Sequence, residues 1–209
     1  MEKVVLGIVG LGYWGPNLLR NFAQLNEANV KICCDLDEKI LANTKTQYPD
    51  IEITNDYSKL LQDPEIQAIV LAVSARHHYN LAKQAILHKK HIYVEKPLTL
   101  EVAHAEELVK LSQQNNVKLM VGHLMEYHPA IEKIKQMILE QELGDVYYIY
   151  SQRVNLGKIR KDENALWSLA PHDISIIMYL LESEPVKVSA RGVAYLQEGI
   201  EDVVFLDMF

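Results

Sequence analysis

Cysteine is scarce in this 209-residue chain: the two present, Cys33 and Cys34, are neighbours. Consecutive residues of a strand point to opposite faces, so the pair makes no disulfide framework. The thiols read as inert core groups in a reducing, cytoplasmic setting. No apolar stretch approaches the ~20 residues that a membrane-spanning helix needs. The first residues also lack the pattern of a cleavable leader, because strand-like residues begin by Val4. Positive charge is in deficit, with 21 Lys and Arg against 28 Asp and Glu and a formal net charge of −7. Nonspecific binding to nucleic acid or to an anionic membrane needs a basic surface, so neither partner is expected. The histidines show no zinc spacing with cysteine or glutamate, and no metal site is expected. What remains is ordinary globular composition, 49% hydrophobic and 23% charged, in a length that fits one large domain or two small ones.

The start of the chain carries the strongest signal. An apolar run, Val4-Val5-Leu6-Gly7-Ile8-Val9, ends in Gly10-Leu11-Gly12-Tyr13-Trp14-Gly15, and a helical pattern begins at Pro16. Strand, glycine-rich turn and helix in that order make a holder for a pyrophosphate. The first glycine permits the turn, the second admits the phosphates, and the third lets the helix pack on the strand. The next apolar stretch, Val30–Cys34, ends in Asp35, about twenty residues past the last glycine, where a carboxylate meets ribose hydroxyls. The two signals together predict a dinucleotide site.

The same alternation continues. Helices are predicted near Pro16–Gln24, Glu38–Tyr48, Tyr57–Leu61, His78–His88 and Glu101–Asn115. Strands are predicted at Glu52–Thr54, Ala68–Val73, His91–Val94 and Lys118–Val121. Repeated units of this kind specify an open, doubly wound parallel sheet covered by helices, with ligands at the carboxyl ends of its strands. After Gly122 the rhythm changes. A helix is expected over Pro129–Glu142, a long strand with Val146, Tyr148 and Tyr150, a polar loop over 155–166 and a helix at His172–Leu181. Val186–Leu196 and Val203–Phe209 read as strands of a mostly antiparallel sheet. Two domains are therefore expected, 1–122 for the dinucleotide and 123–209 for substrate and self-association. The final strand pattern stops without a polar tail, which reads as either an edge covered by a partner chain or a truncated second domain.

Candidate site residues follow from this layout. Lys96 ends a strand at the ligand edge, where it can bond a hydroxyl or simply pair with Glu95. The cofactor set is Gly10, Gly12, Tyr13, Trp14, Gly15, Asp35, Ser74, His78, Glu95 and Lys96. His172, placed in the first turn of its helix, meets a positive helix end that favours a neutral imidazole; a capping or core role is the alternative. Asp173 is explained there by the macrodipole alone. Arg153, Asn155, Lys158, Arg160 and Asn164, with Ser168, offer cations and amides suited to phosphate, carboxylate or sugar hydroxyls, or else form a solvated loop.

Six segments in order together resemble the glucose–fructose oxidoreductase/inositol dehydrogenase (Gfo/Idh/MocA) family. They are the glycine turn, Cys34-Asp35-Leu36-Asp37, Glu95-Lys96-Pro97, Val121-Gly122-His123, His128-Pro129-Ala130 and His172-Asp173-Ile174. Gly12-Tyr13-Trp14-Gly15-Pro16-Asn17 is most similar to the nucleotide-sugar branch. The resemblance implies a Rossmann domain, then an α/β domain on an open antiparallel sheet that serves homo-oligomers. It implies Lys96 as the active-site lysine, His172 as general acid/base, and NAD as cofactor. Asp35 would repel the 2′-phosphate of NADP, whereas Lys39 is a faint argument for tolerating it. Ser168 stands where the family often has an aspartate, and family members are usually longer. The expected activity is NAD-dependent dehydrogenation of a sugar or nucleotide sugar. The alternatives are a relative acting on another polyol, imine or biliverdin-like substrate, and an impaired or non-catalytic NAD-binding remnant.

Overall fold

The alternating apolar runs of the first unit, Met1–Gly122, become strands and helices in turn. They are β1 (Val4–Val9), α1 (Gly15–Gln24), β2 (Ala28–Cys34), α2 (Glu38–Gln47), β3 (Glu52–Thr54), α3 (Tyr57–Gln62) and β4 (Ala68–Leu71). After a short 3-10 turn, Ala75–His77, come α4 (His78–Leu87), β5 (His91–Val94), α5 (Val102–Gln114) and β6 (Leu119–Val121). The protein is described here by a computed structural model covering residues 3–154 and 163–209. All six strands are parallel in the order β3-β2-β1-β4-β5-β6, so the winding reverses between β1 and β4. Beyond that reversal point, outside the carboxyl ends of the strands, such sheets form their ligand crevice.

Helix starts are set by local side chains. Asp37 caps α2 by accepting from the backbone N–H groups of Lys39 and Ile40, and Asp56 caps α3 through Ser58. Pro16 occupies the first turn of α1, where its missing N–H costs nothing. The core lies on both faces of the sheet. Cys33 and Cys34 belong to different clusters: Cys33 to the one with Leu6, Ile8 and Leu19, Cys34 to the one with Leu60, Ile69 and Ile86. Burial pushes the two thiols up to about 12 and about 11, so both stay protonated and unreactive.

The second unit, His123–Phe209, contains α6 (Pro129–Leu139), α7 (Ala165–Leu181) and the antiparallel pair β7 (Val188–Val193) and β8 (Val203–Met208). Lys135 of α6 closes the far end of α7: its amine donates to the Leu180 carbonyl at 3.1 Å and pairs with Glu182 at 2.9 Å. Two expectations need correction. The segment carrying Val146, Tyr148 and Tyr150 forms no strand, and Tyr147 and Tyr148 are exposed. Alternation alone does not make a strand; among the described residues of this unit, β7 and β8 pair with each other and neither pairs with this segment. Helix α7 begins at Ala165, about two turns before the expected start. Asn164 caps it by accepting from Trp167 N at 3.1 Å, and Pro171, the residue before the expected start, lies inside it.

Lys90 yields a test of the frame. Its buried amine donates to the carbonyls of Asp63 and Ile66, at 2.6 and 2.8 Å, fixing the entry to β4. Lys90→Met strands both acceptors and is expected to cost roughly 2–4 kcal/mol in urea denaturation. The exposed control Lys110→Met should stay within about 0.5 kcal/mol of the parent.

Candidate functional site

The turn after β1 is built by close approaches. Gly10 holds φ +88°, a conformation that favours glycine, and its N–H donates to the Cys34 carbonyl at 2.9 Å. A Cβ at Gly15 would lie 2.0 Å from the Gly10 carbonyl oxygen, so only glycine lets α1 start there. A Cβ at Gly12 would meet nothing within 4 Å. The middle glycine thus borders open space beside the N-terminus of a ten-residue helix, the arrangement that receives a pyrophosphate. Asp35, at the end of β2, does more than the sequence reading assigns to it. Its Oδ2 accepts from Leu11 N at 2.6 Å and its Oδ1 from Asp37 N at 2.9 Å, pinning the turn to β2. Each carboxylate oxygen has a second lone pair, which leaves acceptors for ribose hydroxyls.

The ends of β4 and β5 carry the other expected cofactor residues. Ser74 is exposed at the start of the 3-10 turn, and Tyr13 is exposed on the glycine turn. His78 corrects the expectation that it lines the cofactor. Its ring is 1% exposed, with Nδ1 2.7 Å from the Pro97 carbonyl and Nε2 3.0 Å from the Val73 carbonyl. It braces the loop after β4 against the loop after β5 instead. A neutral ring has a single N–H, which serves best at the shorter contact to Pro97. Glu95 is also buried beneath the edge, and it accepts from the Tyr93 hydroxyl and the Lys96 backbone N–H. Lys96, joined to Pro97 by a cis peptide bond, is half-buried next to it.

In the second unit the helix register changes several roles. His172 lies in the third turn of α7, not the first, so the helix N-terminus does not set its protonation. Asp173 is not explained by the macrodipole either: it accepts from Ser151 Oγ and Arg153 Nε, each at 2.6 Å. Asn164 uses its amide oxygen as the α7 cap and its amide nitrogen to bond Glu201 at 2.8 Å. It therefore holds the approach to β8 against the helix. Ser168, one turn before His172, is half-buried in α7. Asn155, Lys158 and Arg160 lie outside the described residues. Among the described residues no cluster of His, Cys, Asp or Glu could hold a metal ion, and no helix is long and apolar enough to cross a membrane.

Comparison with known proteins agrees with this geometry. A family model described as "Oxidoreductase family, NAD-binding Rossmann fold" matches residues 4–123, and one for the GFO/IDH/MocA C-terminal domain matches 131–208. The chain belongs to the GFO/IDH/MocA oxidoreductase family. It is 25% identical to the uncharacterized oxidoreductase YrbE of Bacillus subtilis, over 99% of this chain and 62% of that protein. It is 30% identical to UDP-N-acetylglucosamine 3-dehydrogenase of Acidithiobacillus ferrooxidans, over 62% of this chain and 41% of that protein. Its fold matches Lactobacillus casei scyllo-inositol dehydrogenase, solved with NAD(H) and scyllo-inositol, at a TM-score of 0.84 and 20% identity, over 99% of this chain and 66% of that one. The chain spans about 60% of the length of several curated relatives.

Burial holds His78 below its ordinary value of 6.5, against the pull of the carbonyls it touches. Below pH 6.5 the unfolded chain therefore binds a proton that the folded chain does not, and stability falls as pH falls. His78→Gln removes this contribution. The loss of stability between about pH 7.5 and 5.5, read by urea unfolding, should be shallower in the variant than in the parent.

Proposed function

We propose that the first unit binds NAD and that the protein transfers a hydride between the nicotinamide and a ring hydroxyl or keto carbon of a sugar, polyol or nucleotide sugar. The turn carries this reading: open space at Gly12, the N-terminus of α1 beside it and an oriented Asp35 carboxylate suit a dinucleotide. When bound, NAD supplies the hydride acceptor. Asp35 would receive the ribose hydroxyls and disfavour a 2′-phosphate by charge. Lys96 would hydrogen-bond the reacting hydroxyl and favour loss of its proton, and His172 would take that proton. The second unit would hold the substrate. Arg153 is suited to part of this task, because its bond to Asp173 uses Nε–H and a guanidinium has further donors. Asn155 and Arg160 belong to the same proposed set. Self-association through the β7–β8 sheet, and a reducing cytoplasm in which Cys33 and Cys34 remain thiols, complete the reading.

Fluorescence titration with NADH is the first test. Saturable binding is expected, weakened about tenfold or more in Asp35→Ala with a smaller loss for NADPH. Absence of saturable NADH binding overturns the reading. The NAD complex should then produce reduced cofactor with one of UDP-N-acetylglucosamine, its uronate or scyllo-inositol.

A second reading, an NAD-binding relative with impaired turnover, is favoured by Ser168, which stands where the family often has a carboxylate. Ser168→Asp should then raise turnover by about tenfold or more, the scale of a restored acid–base partner. No gain in the steady-state rate would count against a missing carboxylate.

A further inference from the structure

Two donors meet the carboxylate of Asp173 in α7. Ser151 Oγ donates to Oδ1 and Arg153 Nε to Oδ2, each at 2.6 Å. The donors stand two residues apart in the chain, 22 and 20 positions before their acceptor. How Arg153 is held decides what it has left to offer. A guanidinium is planar and carries five N–H donors, and a carboxylate that serves only as its tie gains most by taking two of them in a fork. Here Ser151 occupies the second oxygen, and the bond to Arg153 runs through Nε. Two NH2 groups remain, and together they form the edge that matches paired oxygens of a carboxylate or phosphate.

Charge gives that edge a use. The chain carries a formal net charge of −7, so an anionic ligand needs a local cation to receive it. Other described cations of the second unit are placed elsewhere. Lys135 closes the far end of α7, Lys187 and Arg191 lie over the rings of Phe209 and Phe205, and Lys133 is exposed on α6. Among these described cations, Arg153 is the one anchored next to His172, because Asp173 is the following residue of α7. Of the pair, the cation is also the more open partner, with 34% of its side chain exposed against 21% for Asp173.

We propose that Asp173 is a positioning residue: with Ser151 on its other oxygen, it holds Arg153 by Nε so that the two NH2 groups receive an oxyanion of the substrate. The oxyanion is a sugar carboxylate or the phosphates of a nucleotide sugar. That the ligand is the substrate of a hydride transfer rests on the function proposed above. The hold of Asp173 on Arg153 does not.

Calorimetric titration with two ligands tests the clamp: UDP-N-acetylglucosamine, which has phosphates and no carboxylate, and its uronate, which has both. It is run in the NADH complex, which has no hydride acceptor, or without cofactor if NADH does not bind. Arg153→Gln should weaken at least one ligand by about tenfold or more. An equal loss for both assigns the edge to phosphate, and a loss confined to the uronate assigns it to the carboxylate. Arg153→Lys, the milder change, keeps the charge without the fork and should also lose affinity. Asp173→Asn removes a negative charge, which by charge alone would favour an anion. It should instead weaken the same ligand by about threefold or more, and Arg153→Gln/Asp173→Asn should bind within about twofold of Arg153→Gln. The proposal is overturned if the parent binds neither ligand, or if Arg153→Gln or Arg153→Lys binds both as the parent does. Equal or higher affinity in Asp173→Asn, or a further loss in the double variant, overturns it too. If NADH does not bind, the proposed function fails and these titrations still decide the clamp; if NADH binds and they fail, only the clamp falls.

Discussion

At Gly15 the helix α1 comes so close to the end of β1 that any side chain would overlap the Gly10 carbonyl, 2.0 Å from the position of a Cβ. That contact sets the direction of the helix N-terminus and leaves Gly12 bordering open space. The turn is then held from β2, the neighbour of β1, where Asp35 reaches Leu11. A loop of glycines gains no rigidity from its own side chains. Here the rigidity comes from a carboxylate at the end of the flanking strand, and the oriented N–H groups of the turn depend on it.

The parallel sheet was legible because its strands are short apolar runs broken by helical patterns. Ile69, Val70 and Leu71 of β4 are all buried, as an apolar run on both faces of a parallel strand requires. The glycine spacing and Asp35 likewise announce their chemistry locally. What the sequence hid depends on distant partners. Asn164 and Arg153 bond Glu201 and Asp173, 37 and 20 positions away. No spacing rule reports such pairs. The start of α7 is hidden for a different reason: the helix is capped by Asn164, before the expected start, and continues through Pro171. The tyrosine-rich stretch near 148 alternates as a strand would, but alternation specifies a face and not the neighbour that must pair with it.

Burial acts on His78 and Glu95 in the same sense, favouring the neutral form of each, and their partners separate them. Two carbonyls surround the His78 ring, so its proton serves one or the other and the ring works as a brace whether or not it is charged. Donors surround Glu95, so ionisation is the state that completes its bonds. One buried group is a strut between loops, and the other is a charge held in place by its neighbours.

Both converge on Lys96. Glu95 fixes its backbone N–H from the residue before, and His78 holds the carbonyl of Pro97 from the residue after. A lysine side chain is long and flexible, and its ammonium is placed by its stem more than by any preference of its own. Holding the peptide on both sides fixes where that stem starts. Glu95-Lys96-Pro97 is therefore a single device, in which the outer residues fix the backbone on either side of Lys96.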